Sequence, residues 1–554
     1  MFVANPVSPL KETPTTPDRL SRKSVAIFLL FGLTMMTLGL GREYRVLTAH
    51  EIINVQPARE MIQSGDWIVP KIGGYPIREA KGPLTIWIIA VGMLITGSEA
   101  EWVGRVIAII ASLLTSWTMA SLAARWYGNR IGLLVGLMQV TMLYVLKIGR
   151  LAECDPFLMV SVVAAMSCFA RACVDSPQGR NASVWLNVGF FAAIGISFLF
   201  KTFVGPVLIF LSCFSYIGIR REWSLLRFFL SPLGWFLLLA LTLTWPIVYQ
   251  LNHPHFITYL QEHYLSRVSG NLGGVKPFYH YALALPLMML PWFPFCVLAL
   301  WYGWRHGLFK QPLWQFILAW VIPGVLLFSC SSCKYDHYLA PLLPPLTIIS
   351  ALGLCHYLAW RYNGARSGYV WLSLLTLTMF GVGVGCLLWL KPLGYIPTVW
   401  LTTLMGIGCL VLLALEYQRL LAAHITSLFT LVWLGVVVVF VWVMPYHDNY
   451  RPHLAFIEHV NKEVPQGKSI HISYLNHQQH LYYLTPRIEI IGNTAPMDDR
   501  LKQNDGEMYF LAPELSFKQY QHLGEIEVLD TCPSHSMLPD RYRPVFFRLK
   551  AAND

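Results

Sequence analysis

Long apolar runs alternate with short polar segments between residues 24 and 444. A helix needs about 20 mostly apolar residues to cross the hydrocarbon core of a bilayer. The runs therefore predict a series of membrane-spanning helices. After a first run at 24–40, the predicted spans lie near 101–124, 131–148, 156–173, 183–200, 203–219, 225–250, 282–302, 313–329, 338–358, 368–390, 397–416 and 425–444.

The apolar run at residues 84–96 is too short to span, at about 13 residues. The Arg and Lys residues between the other runs would all face the cytoplasm under the positive-inside rule, provided that this run does not cross. We therefore expect an interfacial or re-entrant helix at 84–96 and about thirteen crossings in total. This topology begins in the cytoplasm and ends outside.

Three regions follow from the pattern. Residues 1–23 are a predicted cytoplasmic tail, and residues 24–444 a transmembrane domain whose first outer loop covers 41–100. Residues 445–554 are polar and contain strand-like runs, which predict a small extracytoplasmic α/β domain of about 110 residues. The runs lie at 469–474, 488–491 and 508–511.

The composition supports an α-helical polytopic membrane protein. Of the 554 residues, 55% are hydrophobic and 13% are charged, and the mean hydropathy is +0.50. The net charge of +11 does not indicate a nucleic acid partner, because the basic residues lie mostly in short loops between the runs. Cys330 and Cys333 form a C-x-x-C pair without a second pair of thiols, which favours a structural role over a disulfide or metal site.

Charged residues are concentrated between residues 42 and 87. Such a segment cannot lie in hydrocarbon, where each ion costs at least about 2.5–3.5 kcal/mol, so it is predicted to fold outside the bilayer core. Residues 57–62 place apolar positions on one helical face, and Gly65 predicts the end of that helix. Taken alone, the helix is equally consistent with one that lies on the membrane surface.

Several short phrases follow one another in this loop: His50-Glu51, Ala58-Arg59-Glu60-Met61, Ser64-Gly65-Asp66-Trp67-Ile68-Val69-Pro70, Lys81-Gly82-Pro83-Leu84 and Trp87. Their order resembles the first extracytoplasmic loop of the bacterial lipid-A aminoarabinose transferases and related protein O-mannosyltransferase-like enzymes. Those enzymes are membrane glycosyltransferases of the GT-C class. The resemblance implies a GT-C-like fold and a sugar donor linked to a polyprenyl phosphate.

The chain departs from that family where the loop begins. The family has an Asp-Glu pair there, with the Asp assigned to catalysis, whereas this sequence has His50-Glu51; the Arg and Tyr that follow in the family fall on Ile53 and Asn54. Glu51 is therefore the first candidate for a catalytic base. His50 is an alternative base, or a metal ligand beside Glu51 and Asp155.

Asp155 and Lys201 are candidates from two other segments. Asp155 precedes Pro156, a pair that favours helix capping, and the phrase that starts at Arg150 also resembles the family's Arg-Leu-Ala…Asp, whose Asp lies beside the reaction centre. Lys201 interrupts an apolar run. It is either part of a turn, the favoured interpretation, or a buried cation that needs an anion. It also resembles the family's Lys-Gly-Pro turn, which makes it a donor-phosphate candidate.

The remaining candidates come from two further polar segments and from the first loop. The residues around Arg267 resemble the family's Glu-His…Arg stretch, and those around Tyr338 resemble its Lys…Tyr-Leu-x-Pro phrase. Arg and Lys side chains suit phosphate oxygens, so Lys81 and Arg267 are predicted to hold the donor phosphate, together with Tyr338. Each also fits a headgroup-facing or interfacial position. The predicted substrate-binding residues are Glu79, His263 and His337.

The resemblance, together with these residues, implies an inverting glycosyltransferase that moves a sugar from a polyprenyl-phosphate-linked donor to a lipid-A-like or other envelope acceptor, at the periplasmic face of a bacterial inner membrane. Cations would stabilise the departing phosphate, and a carboxylate would take the proton of the acceptor. The sequence identifies no cofactor with certainty, and a divalent metal ion is a candidate beside the carboxylates. The alternatives are a transporter or flippase of a lipid-linked saccharide, a protein O-glycosyltransferase and a non-catalytic scaffold.

Overall fold

The computed structural model divides into two units. The membrane unit comprises Met1–Leu40, Glu79–Thr85 and Arg105–Val443, and the loop unit comprises Gly41–Arg78, Ile86–Gly104 and Met444–Asp554. The structure describes residues 19–40, 47–73, 75–76, 81–175, 183–254, 256–269, 274–362, 407, 429–430, 432–435, 437, 453–472, 482–485, 487–490, 507–514, 520, 524–532 and 543–551.

Helices dominate the described chain. In order they are α1 (Arg22–Thr37), α2 (Ala49–Ser64), α3 (Leu84–Thr96), α4 (Trp102–Tyr127), α5 (Asn129–Thr141), α6 (Leu143–Ile148), α7 (Cys154–Phe169), α8 (Val184–Lys201), α9 (Val204–Arg220), α10 (Pro232–Asn252), α11 (Phe256–Ser269), α12 (His280–Met288), α13 (Phe293–Arg305), α14 (Pro312–Cys330), α15 (Leu343–Tyr362) and α16 (His453–Glu463). A π-helical turn at Ala170–Val174 extends α7, and 3₁₀ segments lie at Trp223–Phe229, Leu308–Lys310 and Asp336–Leu342.

Six helical segments among the described residues are long and apolar enough to cross a membrane, or seven if one bent pair counts as a single span. Helix α3 has the bounds predicted for the short apolar run, Leu84–Thr96, and is too short to count as a membrane-spanning helix. The predicted spans at 368–390 and 397–416 and most of 425–444 lie outside the described residues, so the total of about thirteen stays a prediction. The six are Trp102–Tyr127, Cys154–Val174, Val184–Lys201, Pro232–Asn252, Pro312–Cys330 and Asp336–Ala359.

Two spans that the sequence predicted as continuous are broken. The run at 131–148 divides at Met142, whose backbone is extended, and α12 and α13 are bent by 112°. Each break supplies hydrogen-bond partners to polar groups at the other. The Leu143 N–H donates to the Leu290 carbonyl at 2.8 Å, and the Trp292 indole N–H donates to the Thr141 hydroxyl at 2.9 Å. Backbone groups freed inside a membrane protein need partners of this kind.

The core of the membrane unit lies between paired helices. The most extensive contacts join α7 to α8, α13 to α15 and α9 to α14. The apolar side chains of these helices pack against each other in one buried cluster. The indoles of Trp292, Trp314 and Trp320 are almost completely buried. This packing fixes the ends of α7 and α8, which carry two of the candidate residues.

The loop unit contains all the described strands. A short antiparallel pair, β1 (Lys71–Ile72) and β2 (Tyr75–Pro76), follows α2. The five-stranded mixed sheet has the order β4-β3-β5-β7-β6, parallel between β3 and both of its neighbours and antiparallel between β7 and both of its neighbours. Its strands are β3 (Ser469–Ile472), β4 (Arg487–Ile490), β5 (Glu507–Pro513), β6 (Gly524–Thr531) and β7 (Pro544–Ala551).

The three strand-like runs predicted in the C-terminal region are confirmed as β3, β4 and β5, whereas β6 and β7 were not predicted. Helix α16 packs its apolar face on this sheet, and Ile72 of the first loop belongs to the same buried cluster as Phe456 and Ile457 of α16. The first loop and the C-terminal region therefore share one hydrophobic core, which the division of the sequence into separate regions did not suggest.

Candidate active site

A buried ion pair joins the start of α7 to the end of α8. The Lys201 ammonium donates to Asp155 Oδ1 at 2.6 Å, and both side chains are less than a tenth exposed. Helix capping, one of the two interpretations of Asp155, does not hold, because Glu153 occupies the N-cap position without a side-chain hydrogen bond. The Asp155 carboxylate turns to Lys201 instead, since a buried carboxylate without an opposite charge is strongly destabilising.

The favoured interpretation of Lys201 as part of a turn was incomplete. Lys201 is the last residue of α8, and the chain turns at Thr202, which has a φ of 39°. Lys201 is nevertheless buried and paired, so the alternative of a buried cation with an anion also holds. The Thr202 hydroxyl bonds the Tyr264 hydroxyl of α11, which fixes the turn from a third segment.

Two aromatic residues lie against this pair. The Lys201 ammonium lies 5.5 Å from the centre of the Tyr338 ring, within the range of a cation–π interaction. The His337 ring stacks on Tyr335 at 5.4 Å and meets the Tyr338 ring edge-on at 4.8 Å. His337 also acts electrostatically on the Asp155 carboxylate. The structure thus brings together four candidate residues from three separate segments of the sequence.

Gly82 places Lys81 beside the same helix. A Cβ atom at Gly82 would lie 2.0 Å from the Leu199 carbonyl oxygen, a distance that only glycine avoids. Lys81, the preceding residue, acts electrostatically on both Asp155 and Lys201. Two lysines from different segments therefore act on one carboxylate.

A second cluster holds two of the predicted outer segments together. The Lys334 ammonium donates to the carbonyls of Lys276 and Ser331, and Val275 pairs with Cys333 in an isolated bridge. Beside it, Asp336 Oδ1 accepts from His280 Nε2 at 2.8 Å and lies 3.6 Å from the Lys276 ammonium. Sequence reasoning missed these contacts, which orient the segment that carries His337 and Tyr338.

Glu51 lies in the loop unit and is fully buried at the start of α2. Its Oε2 accepts the Thr48 N–H at 2.9 Å, and its own N–H donates to the Thr48 hydroxyl at 3.2 Å, which is a capping box. The helix ends at Gly65, as predicted, with a φ of 73°. Positions 51–58 are all buried, whereas residues 59, 60 and 62 are half-buried. The alternative of a helix that lies on the membrane surface stays a prediction. His50 is exposed.

Several predicted residues fall outside this description. Glu79 and the side chains of His263 and Arg267 lie outside the described residues. Among the residues that the structure describes, no group of three His, Cys, Asp or Glu side chains is arranged to hold a metal ion. Cys330 and Cys333 are both free thiols.

Comparisons with known proteins agree with this architecture. Residues 80–249 match the family model of dolichyl-phosphate-mannose-protein mannosyltransferases. The structure is similar to the crystal structure of ArnT from Cupriavidus metallidurans bound to undecaprenyl phosphate, with a TM-score of 0.75 and 18% identity. The superposition covers 95% of this chain and 97% of the ArnT chain. The chain has this fold. The α-helical polytopic fold with a small C-terminal α/β domain is therefore confirmed.

Two further similarities are weaker. An undecaprenyl phosphate-alpha-4-amino-4-deoxy-L-arabinose arabinosyl transferase of Yersinia enterocolitica is 27% identical over 341 residues, which cover 59% of this chain and 60% of the relative. The chain thus aligns with less than two thirds of the curated relative. The archaeal oligosaccharyltransferase AglB from Archaeoglobus fulgidus matches with a TM-score of 0.50 and 11% identity, over 90% of this chain and 70% of AglB. The predicted resemblance to aminoarabinose transferases is confirmed.

Proposed function

We propose that this protein is an inverting glycosyltransferase that moves a sugar from a polyprenyl-phosphate-linked donor to a lipid-A-like or other envelope acceptor. The observation that carries the proposal is the Asp155–Lys201 pair with Lys81 beside it, in a fold shared with a transferase crystallised with undecaprenyl phosphate. A phosphate leaving group needs this kind of concentrated positive charge.

Lys81 is the proposed source of further positive charge for the donor phosphate. Lys201 is neutralised by Asp155, so the pair alone carries no net charge. Lys81 adds a cation in the same field, and the proposed contribution of Arg267 would add a second, in the planar form that suits phosphate oxygens. Tyr338 and His337 add a hydroxyl and an imidazole that are able to orient the donor.

The reaction requires one proton transfer. The acceptor hydroxyl attacks the anomeric carbon, the bond from that carbon to the phosphate oxygen breaks with inversion, and polyprenyl phosphate departs with the electron pair. The hydroxyl proton passes to a carboxylate, for which Glu51 is the first choice and Asp155 the alternative or supporting group. Glu51 accepts the Thr48 N–H through Oε2, and this contact fixes the carboxylate at the start of α2. Glu79 and His263 remain proposed substrate ligands and His50 a proposed second base.

The proposed topology has the N-terminus in the cytoplasm and the C-terminal domain in the periplasm, within a bacterial inner membrane. The distribution of Arg and Lys residues between spans supports it. A reporter that is active only in the periplasm should be active when it is fused after Tyr446. An inactive fusion, with activity of a cytoplasm-dependent reporter at the same position, would contradict the proposed orientation.

The experiment that tests the activity is mass spectrometry of envelope lipids, glycoproteins and polyprenyl phosphates from cells with and without the protein. We expect the deletion to remove one glycosylated product and to accumulate its sugar-linked polyprenyl phosphate. A lost glycolipid identifies a lipid acceptor, and a lost glycoprotein identifies a protein acceptor. An unchanged profile in cells that express the protein would contradict transfer.

A further inference from the structure

Two consecutive backbone N–H groups at the start of α2 have partners from very different parts of the chain. The Thr48 N–H donates to Glu51 Oε2, within the capping box. The Leu47 N–H donates to the hydroxyl oxygen of Tyr483 at 3.0 Å, across 436 residues of sequence. Leu47 is completely buried. The C-terminal region therefore contacts the residue that precedes the cap of the candidate base.

Tyr483 is itself held in place. Its hydroxyl donates to Glu101 Oε1 at 2.8 Å, so it both gives and receives a hydrogen bond. Its carbonyl accepts from the Asn461 side chain of α16 at 2.9 Å, and the Asn461 oxygen accepts the Thr485 N–H at 2.9 Å. The ring is thus fixed at both its backbone and its hydroxyl end, as a rigid support requires.

A second connection holds α2 further along its length. The Arg59 guanidinium lies 3.8 Å from the centre of the Tyr482 ring and donates to the Tyr482 carbonyl at 2.7 Å. It also pairs with Glu99 at 2.7 Å. Because the buried Ile72 joins the core under α16, the loop is attached to the C-terminal region at three points. A C-terminal domain that served only as a binding module on a tether would not need three such contacts with the loop.

We propose that Tyr483 is a positioning residue, through which the C-terminal domain fixes the start of α2 and thereby the carboxylate of Glu51. This inference rests on the proposed function, in which Glu51 takes the proton of the acceptor. It assigns the C-terminal domain a role in catalysis through geometry. Misplacement of a reacting group lowers turnover even when substrate binding is intact.

The test is Tyr483→Phe in the full chain, reconstituted in lipid vesicles with a polyprenyl-phosphate-linked sugar. The change keeps the ring and removes the hydroxyl that receives the Leu47 N–H. We expect kcat to fall about tenfold, which corresponds to the loss of one buried hydrogen bond, with an unchanged KM for the donor. The matched control is Tyr482→Phe, which removes the neighbouring hydroxyl and keeps the ring under Arg59; its kcat should equal that of the wild type.

Two readouts separate positioning from general damage. In a Glu51→Gln background, Tyr483→Phe should cause no further loss, because both changes act on one group. Hydrogen exchange at the amides of Leu47 and Thr48 should accelerate in Tyr483→Phe and not in Tyr482→Phe. Losses that multiply in the double variant, or equal kcat and exchange in the two Phe variants, would overturn the inference.

The exchange experiment does not need activity. If the wild-type protein transfers no sugar from any polyprenyl-phosphate donor, the proposed function fails, while faster exchange in Tyr483→Phe would still support the positioning of α2 by the C-terminal domain. If the wild type is active and Tyr483→Phe matches it in kcat and exchange, the positioning fails and the proposed function stands.

Discussion

The membrane unit and the loop unit each bury a candidate carboxylate, and they satisfy it differently. Asp155 is paired with Lys201, which lies 46 residues further along the chain, whereas Glu51 accepts a backbone N–H only three residues away. Removal of Lys201 leaves an uncompensated charge in the core. Replacement of Glu51 by Gln leaves a residue that also fits the capping box. A change at Lys201 therefore affects folding and chemistry together, whereas Glu51→Gln keeps the capping box.

The largest effect is expected for Lys201→Met. The buried Asp155 carboxylate loses its partner, and the protein should lose about 3–5 kcal/mol of stability together with its activity. Thermal unfolding of the purified chain in detergent measures the change. The control is Lys71→Met, which breaks the partly exposed pair with Asp66 and should cost at most about 1 kcal/mol.

Equal melting temperatures for these two variants would show that the membrane unit does not depend on its ion pair. The double variant Asp155→Leu with Lys201→Met should recover most of the stability, because a buried pair is replaced by apolar groups. It should not recover activity.

Glu51→Gln should leave the melting temperature unchanged and lower kcat by about 10²–10⁴-fold, the usual contribution of a general base. Steady-state turnover in vesicles measures the loss. Glu60→Gln is the control: Glu60 lies on the same helix and accepts the Gly73 N–H, a contact that Gln also makes. If Glu51→Gln turns over like Glu60→Gln, the role of base passes to Asp155 or His50.

Gly82→Ala should raise the KM for the donor. The added methyl group meets the Leu199 carbonyl, so the segment that carries Lys81 must move away from α8, at a cost of about 1–3 kcal/mol. Gly218→Ala is the matched control, since no atom lies within 4 Å of the position that its methyl group would take. Donor titration of the initial rate compares the two, and equal KM values would remove Lys81 from the phosphate site.

The smallest effect concerns Asp66. Burial alone raises the pKa of this carboxyl. The hydrogen bonds from Lys71 and from the Val69 and Ile68 N–H groups lower the pKa by more than burial raises it, so the pKa lies below its ordinary value. A lowered pKa in the folded state stabilises the protein above the unfolded value near pH 4, and the stability is lost as the pH falls below it. The wild type should therefore melt slightly above Asp66→Asn at pH 7, and the difference should close below about pH 4. A difference that widens in acid would contradict this assignment.

Local patterns predicted the elements whose causes are local. The short helix α3, the end of α2 at Gly65 and the strands β3, β4 and β5 all follow from runs of a few residues. The breaks at Met142 and after Met288 could not be predicted in this way, because each depends on hydrogen bonds from the other break. The same limit applies to Asp155, where a local capping signal was overridden by a distant lysine.

The sequence by itself determined that the chain is a polytopic helical membrane protein with a polar C-terminal domain, because apolar runs of about 20 residues have the length of membrane-spanning helices. It also identified Glu51, Asp155, Lys81 and Lys201 as chemically able residues. Only the tertiary structure decided which of them meet. Asp155 pairs with Lys201 and Leu47 with Tyr483 through contacts between residues far apart in the chain, and such contacts leave no trace in the periodicity of a single sequence.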